Sequence, residues 1–418
     1  MKFIHTADIH LDSPMLGLER YDGAPIEQLR QATRQSFDNL INKAIEEEVN
    51  FLVIAGDLYD GDWPDFSTGL YFTSRMNKLA ESNIQVIMVS GNHDAQSRIT
   101  KSLKLPPNVT KLSHNNPESR VFENHNVIFH GQSFATQSVS KNIAINYPEK
   151  KSGYINIGIL HTSLDGREGH DSYAPCKKED LLKKDYDYWA LGHVHRYEVV
   201  ESDPPIIFPG NIQGRNFRET GKKGCVLVSF ENDNKPEIAR LETDVARWMK
   251  ISVDLNGSND INDALEMVED KLNKEIDSMD SHLILLRIYL EGTCQARQKW
   301  ILDFNPILNQ IRTIALNLFN DRVWIEQVHD RTRSFKSAKD LQESIGRYEI
   351  PLQRLGQISP DNILIDKIKE EITLLKRYLP TEVFADGYFP NIENMEELNE
   401  LAYEARDTIL SLIYSEEE

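Results

Sequence analysis

The sequence predicts an α/β fold over its first 240 residues, and three observations carry that expectation. Apolar runs of strand length alternate with amphipathic helical stretches, the order of β-α-β units. Ligand-type residues stand at the ends of those runs, where open α/β sheets gather their sites. At 418 residues the chain exceeds one ordinary core. The pattern changes near residue 240 and again near 336, so the expected domains are 1–240, 241–336 and 337–418.

Taken in order, Lys2-Phe3-Ile4 opens the first strand and leads into Asp8-Ile9-His10. Residues 26–49 place Ile26, Leu29, Phe37, Leu40, Ile41, Ala44 and Ile45 on one helical face, and Asn50 breaks into the run Phe51–Ala55 ahead of Gly56-Asp57. The pattern repeats over 68–82 with Leu70, Phe72, Met76 and Leu79, before a run at 84–89 that ends in Gly91-Asn92-His93-Asp94. Further strands are expected at 127–129, at 155–160 ahead of His161, at 188–191 ahead of Gly192-His193-Val194-His195, at 206–208 and at 225–230, extending the sheet.

A small α+β domain follows: an alternating segment at 249–253, a helix around 260–277, a strand at 283–289, a helix around 305–318 and a strand at 323–328. Pro351 to Pro360 reads as a linker. Beyond it, 362–379 and 395–414 carry apolar stripes, including Ile368, Ile372 and Leu375 on the first and Leu398, Leu401 and Ile409 on the second. Such stripes serve either an intramolecular core or a partner helix.

Composition is that of a soluble globular protein, with 40% hydrophobic and 27% charged residues. No run is long enough to cross a bilayer, and the N-terminus lacks a secretory signal, so the expected location is the cytoplasm, with no membrane partner. Cys176, Cys225 and Cys294 suit neither a disulfide framework nor a zinc site. A net charge of −19 sits awkwardly with nucleic acid. Residues 361–418 contribute −10 of it, and Lys177-Lys178, Lys183-Lys184 and the bases from Arg215 to Lys223 offer a positive strip, with solvated faces as the plainer reading.

Spacing suggests metal chemistry. In an extended segment residues two apart point the same way, so Asp8 and His10 can share one ion, as can His193 and His195. Glycines 56, 91 and 192 stand where the chain must bend sharply or let substrate approach. Asp57 can bridge two cations roughly 3.5–4 Å apart. Asn92 adds a neutral oxygen. Asp, His and Asn donors without Cys suit Mn²⁺, Fe²⁺ or Zn²⁺ better than an all-oxygen Mg²⁺ or Ca²⁺ cage.

These clusters together, Asp8-Ile9-His10, Gly56-Asp57-Leu58-Tyr59-Asp60, Gly91-Asn92-His93-Asp94, His161 and Gly192-His193-Val194-His195, resemble the successive motifs of the calcineurin-like metallophosphoesterases. The run from Phe208 to Arg215, with Lys223-Gly224-Cys225 after it, is similar to the SbcD and YhaO-type nuclease branch. The resemblance implies a layered α/β sandwich with a small α+β capping domain and a C-terminal helical segment. It implies one metal held by Asp8, His10, Asp57 and His195 and a second held by Asp57, Asn92, His161 and His193, with Mn²⁺ the preferred ion. It leaves His93 as the histidine facing the scissile phosphate, oriented by Asp94.

The implied activity is metal-dependent hydrolysis of DNA phosphodiester bonds, as an exonuclease and also as an endonuclease, in DNA repair or phage defence. Its implied partners are DNA, an SMC-like ATPase of the SbcC or YhaN type held by the C-terminal helices, and a second copy of the chain. The metal motifs alone leave two alternatives open: a phosphatase or cyclic-nucleotide phosphodiesterase on the same core, or a scaffold that grips DNA ends. His5, His114, His125, His130, His282 and His329 read as structural, since nothing in the sequence pairs them with a second ligand. His170, in the loop after His161, is read either as surface or as overhanging the site.

Overall fold

The computed structural model describes residues 1–13, 23–60, 67–96, 104–164, 173–231, 235–276, 279, 282–300 and 303–334, with a few positions between 366 and 398. It divides into two compact units, one of residues 1–249 with 281–285 and one of the remainder. The first unit contains β1 (Lys2–Thr6), α1 (Ile26–Glu46), β2 (Phe51–Ala55), α2 (Ser67–Glu81), β3 (Gln85–Val89), α3 (Asn92–Gln96), β4 (Val109–Lys111), β5 (Glu118–Phe122), β6 (Val127–Gly131) and β7 (Ile155–His161). It continues through α4 (Lys178–Leu182), β8 (Tyr188–Gly192), β9 (Glu198–Ser202), β10 (Pro205–Phe208), β11 (Gly224–Phe230) and β12 (Pro236–Glu242).

The strands form two six-stranded sheets, the layered α/β sandwich that the resemblance implies rather than the one extended sheet that the strand pattern alone suggests, in the orders β12-β11-β1-β2-β3-β4 and β5-β6-β7-β8-β10-β9. Period-two alternation explains the layering. On β2, Phe51, Val53 and Ala55 turn inward to meet Phe129, Ile157 and Ala190 of the other sheet, while Leu52 and Ile54 turn outward to pack with Phe37 and Leu40 of α1 and Phe72 and Met76 of α2. The second sheet is covered in turn by Leu181 and Tyr186, against Trp189 and Leu191 on its outer face. Helices therefore flank two facing sheets. Strands buried on both faces read as unbroken apolar runs, which is why β1, β2, β3, β7 and β8 stand out in the sequence. The edge strands β5, β9 and β12 carry exposed polar residues and escape that pattern.

The second unit is built from the later parts of β13 (Ala246–Asp254) and β14 (Leu283–Glu291), which begin in the first, with α5 (Ile261–Ile276), β15 (Thr293–Cys294), α6 (Asn305–Phe319), β16 (Val323–Asp330) and β17 (Arg333–Ser334). Its main sheet has the order β13-β14-β16. Every fourth residue of α5 is buried, at Ala264, Val268, Leu272 and Ile276, and α6 does the same with Ile307, Ile311, Ala315 and Phe319. Arg287 on β14 donates twice to the carboxylate of Glu326 on β16, at 2.7 Å each, a buried forked pair between neighbouring strands.

The linker and most of the C-terminal stripes lie outside the described residues, as does His170. Of the stripe residues that are described, Ile372 and Leu398 are buried. All three cysteines are buried and stand outside any disulfide. Among the described residues no helix is long and apolar enough to cross a membrane.

Candidate metal centre

Four loops that leave strand ends build the site, and their backbones are unusual. Asp8, His10 and Asp57 adopt positive φ of 50°, 46° and 51°, and His193 lies at 104°. Non-glycine residues seldom enter that region, and clustering there is a mark of functional loops. Asp8 and His10 do converge, but not as neighbours on an extended strand as expected. β1 ends at Thr6, and left-handed turns aim both side chains to one place. The Asp8 amide donates to the Gly56 carbonyl and the His10 amide to the Asp57 carbonyl, both at 3.1 Å, so the loops after β1 and β2 brace each other.

Asp8, His10 and His195 form one group of potential ligands, and Asp8, Asp57 and His161 form another. All five are buried except His195, whose side chain is 23% exposed. Asn92 Oδ1 lies 3.0 Å from His161 Nε2 and adjoins the second group. His193 and His195 do not share an ion side by side. The His193 ring packs edge-on to His161 at 5.3 Å, while its amide donates to both Asp8 carboxylate oxygens at 3.1 and 2.9 Å. Glycine is required beneath this constellation: a Cβ on Gly91 would stand 2.2 Å from Asp57 Oδ1, and one on Gly56, at φ +96°, 2.4 Å from His161 Nδ1.

Hydrogen bonding fixes which ring nitrogens face inward. His161 Nδ1 donates to the Ala55 carbonyl at 3.0 Å, so the lone pair of neutral His161 is on Nε2. That nitrogen faces Asn92 Oδ1 at 3.0 Å and Asp57 Oδ2 at 3.4 Å, both acceptors. His195 Nδ1 donates to Glu219 Oε1 at 2.7 Å, and its Nε2 meets His10 Nε2 at 3.2 Å. Lone pairs converging on acceptors need either protons or cations between them. The donor set fits divalent metal. In the metal-free chain, burial would lower the His161 pKa but the Asp57 carboxylate overrides it, raising His161 to about 9. Burial pushes Asp57 up, yet His161, His10 and His93 together hold it well below the usual carboxylate range.

Comparison with known proteins agrees with this geometry. Residues 1–197 match the calcineurin-like phosphoesterase family, and residues 248–333 match the middle domain of metallophosphoesterase YhaO. The chain is 33% identical over 307 residues to the uncharacterized metallophosphoesterase YhaO of Bacillus subtilis, covering 72% of this chain and 74% of that protein. The chain belongs to the calcineurin-like metallophosphoesterases. It is a phosphoester hydrolase with the mixed α/β fold of that family, a fold that binds two divalent metals. It is also similar to the DNA double-strand break repair protein Mre11 of Methanopyrus kandleri, 24% identical over 284 residues, covering 62% of this chain and 60% of that one. A solved dimetal phosphatase from Danio rerio aligns with a TM-score of 0.34 and 12% identity, over 57% of this chain and 98% of that one.

Within this metallophosphoesterase, His93, its side chain 38% exposed, forms a third group of potential ligands with His10 and Asp60, beside the two groups that contain Asp8. Its orienting partner is not Asp94. That carboxylate accepts from the amides of Leu58, Tyr59 and Gly91 at 3.3, 3.0 and 3.0 Å, which ties the β2 and β3 loops together. Burial and the nearby Asp57 charge raise Asp94 to about 6. Asp60 Oδ1 takes the role instead, 3.1 Å from His93 Nδ1, and raises the His93 pKa against the lowering effect of burial.

Glu219 and Asp60 escaped the sequence reading because they hold ligands from behind. Asp60 ends the Gly56-to-Asp60 motif, but no residue near Glu219 in the chain marks it. Arg215 and Lys223 do not form a surface strip: Arg215 pairs with Glu219 and Asp60, and Lys223 Nζ donates to the His195 carbonyl at 3.0 Å. Lys178, Lys183 and Lys184 face Glu201, Asp180 and Glu149. His282 is not isolated either, since it groups with Glu242 and Asp244. Arg247 occupies that cluster, donating to both carboxylates at 2.7 to 2.9 Å, and offsets half of its negative charge. His5, His130 and His329 are held by Tyr188 and Leu191, by Ser119 and Asn156, and against Tyr289.

Proposed function

We propose that this metallophosphoesterase is a cytoplasmic, manganese-preferring DNA nuclease, acting as an exonuclease with accompanying endonuclease activity. We propose further that its C-terminal helices hold an SMC-like ATPase, in repair or phage defence. The observation that carries phosphoester chemistry is the pair of buried ligand groups with one imidazole, His93, beside them and bound to neither Asp8 nor Asp57 through its ring. DNA as the substrate rests on similarity to Mre11 over 284 residues, a stretch longer than the 197 residues matched by the catalytic family alone.

Asp8, His10, Asp57 and His195 would hold one ion, and Asp57, Asn92, His161 and His193 the other; when bound, the ions supply positive charge that polarises a phosphoryl oxygen. The chain's own residues supply the rest. Asp60 fixes His93 by Nδ1, leaving Nε2 to hand a proton to the departing oxygen. The His93 amide donates to Asp57 Oδ1 at 3.0 Å, which ties the backbone of the acid to a carboxylate that would hold both ions.

The test is digestion of labelled duplex and single-stranded DNA by the purified full-length chain, with a phosphomonoester as comparison. DNA cleavage is expected with Mn²⁺ and none in chelator. Turnover in metal-free buffer would overturn the two-metal mechanism, and monoester hydrolysis without DNA cleavage would make the enzyme a phosphatase.

A further inference from the structure

Two carboxylates and one guanidinium lie behind the metal groups, and none of the three is a proposed ligand. Asp60 Oδ1 faces the rear nitrogens of two histidines, His10 Nδ1 at 3.4 Å and His93 Nδ1 at 3.1 Å. Its other oxygen accepts from Ser13 Oγ at 2.7 Å and lies 3.5 Å from Arg215 Nη1. Glu219 Oε1 accepts from His195 Nδ1 at 2.7 Å and from Arg215 Nη2 at 3.0 Å. Glu219 Oε2 accepts from the Arg215 amide and from Asn211 Nδ2, each at 2.8 Å. Arg215 Nη2 also comes within 3.2 Å of His195 Nδ1, but the shorter approach of that nitrogen to a carboxylate assigns its proton to the Glu219 bond.

We infer that Asp60, Arg215 and Glu219 form a single positioning clamp for one divalent-cation site, holding His195 from behind by the Glu219 hydrogen bond and facing His10 with the Asp60 charge. The Asp60 carboxylate extends the same clamp to His93. The inference rests on the proposed metal centre and deepens it. Histidine ligands commonly owe their orientation and basicity to a carboxylate on the far nitrogen. In the group Asp8, His10 and His195, the His195 ring has such a carboxylate hydrogen-bonded to its far nitrogen, that of Glu219; His10 Nδ1 stands 3.4 Å from Asp60 Oδ1, an ion-pair approach without a hydrogen bond, and Arg215 spans both carboxylates. His161 is oriented differently, by the Ala55 carbonyl at 3.0 Å. The clamp therefore serves one ion and not the other. Arg215 is also poorly placed for gripping substrate: its side chain is only 16% exposed and its guanidinium is engaged on two sides.

The test uses the full-length chain with Arg215→Met, which keeps the volume and removes the fork, Arg215→Lys, which can reach only one carboxylate, and the near-isosteric Asp60→Asn. Mn²⁺ binding is followed by calorimetry and metal analysis, Co²⁺ loading by visible absorption, and cleavage as separate kcat and KM at saturating metal. Arg215→Met is expected to weaken one of two ions by about 10- to 100-fold while the other binds as in wild type. Arg215→Lys should recover part of the loss, and KM for DNA should stay unchanged. Wild-type affinity for both ions in Arg215→Met, or in Asp60→Asn if the first variant does not fold, overturns the clamp alone. A raised KM with both ions bound normally also overturns it and makes Arg215 a substrate contact. A wild-type chain that binds fewer than two ions removes the metal centre itself, and the clamp with it.

Discussion

His161 and His93 both follow strands, yet their surroundings give them different tasks. His161 is fully buried, with Nδ1 spent on a carbonyl and Nε2 turned to oxygen acceptors. His93 is partly exposed and is held by Asp60. His161→Ala should therefore lower both metal content and cleavage. His93→Ala should keep near-wild-type metal content while losing about 100- to 10,000-fold in kcat, the range typical of a missing general acid. Metal stoichiometry measured beside single-turnover rates decides it, and loss of an ion in His93→Ala would make His93 a ligand. Residue identity was legible in the sequence wherever a residue ended an apolar run. The partners were not. Asp94 adjoins His93 in the chain, but the turn of α3 carries its carboxylate back to the Gly91 amide, while Asp60 arrives from a different strand end.

Among elements, β1 and β8 belong to opposite sheets and are pinned to each other by His5. His5 Nε2 donates to the Leu191 carbonyl at 3.0 Å, so Nδ1 must accept from the Tyr188 hydroxyl at 2.9 Å. This holds the imidazole neutral, and burial, only partly offset by the Leu191 carbonyl, lowers its pKa to about 3. The sign follows from proton binding. Between about pH 6.5 and 3 the unfolded chain takes up a proton that folded His5 refuses, so this stabilisation is complete above 6.5 and drains away as pH falls toward 3. In chelator, His5→Gln should melt lower than wild type at pH 8 but show a shallower drop in Tm from pH 6.5 to 4. Parallel pH profiles would rule out His5 as a source of the slope. The strands that carry this joint were legible as apolar runs. The division into two sheets came only with the family resemblance, because a run buried on both faces looks the same whether helices or a second sheet cover it.

For the molecule as a whole, the net charge of −19 is not relieved by the basic clusters the sequence offers, since Arg215 and Lys223 turn inward and several lysines sit beside acids. Attraction of the proposed DNA substrate would then fall mainly to the metal centre and to the proposed partner. Truncation near residue 340 tests the partner. If the terminal stripes serve an SMC-like ATPase, the shortened chain should keep its Tm and metal-dependent cleavage while losing co-purification of the ATPase. If burial of Ile372 and Leu398 instead reflects an internal core, truncation should lower Tm or cause aggregation. A shortened chain that still captures the ATPase would exclude the tail as its docking site. One property of the fold reaches beyond catalysis. Asp8, Asp57 and Asn92 extend from one six-stranded sheet, and His161, His193 and His195 from the other. Ions held among them would cross-link two leaves that the apolar core between the sheets already joins, so that the load which makes the enzyme reactive would also add to the seam.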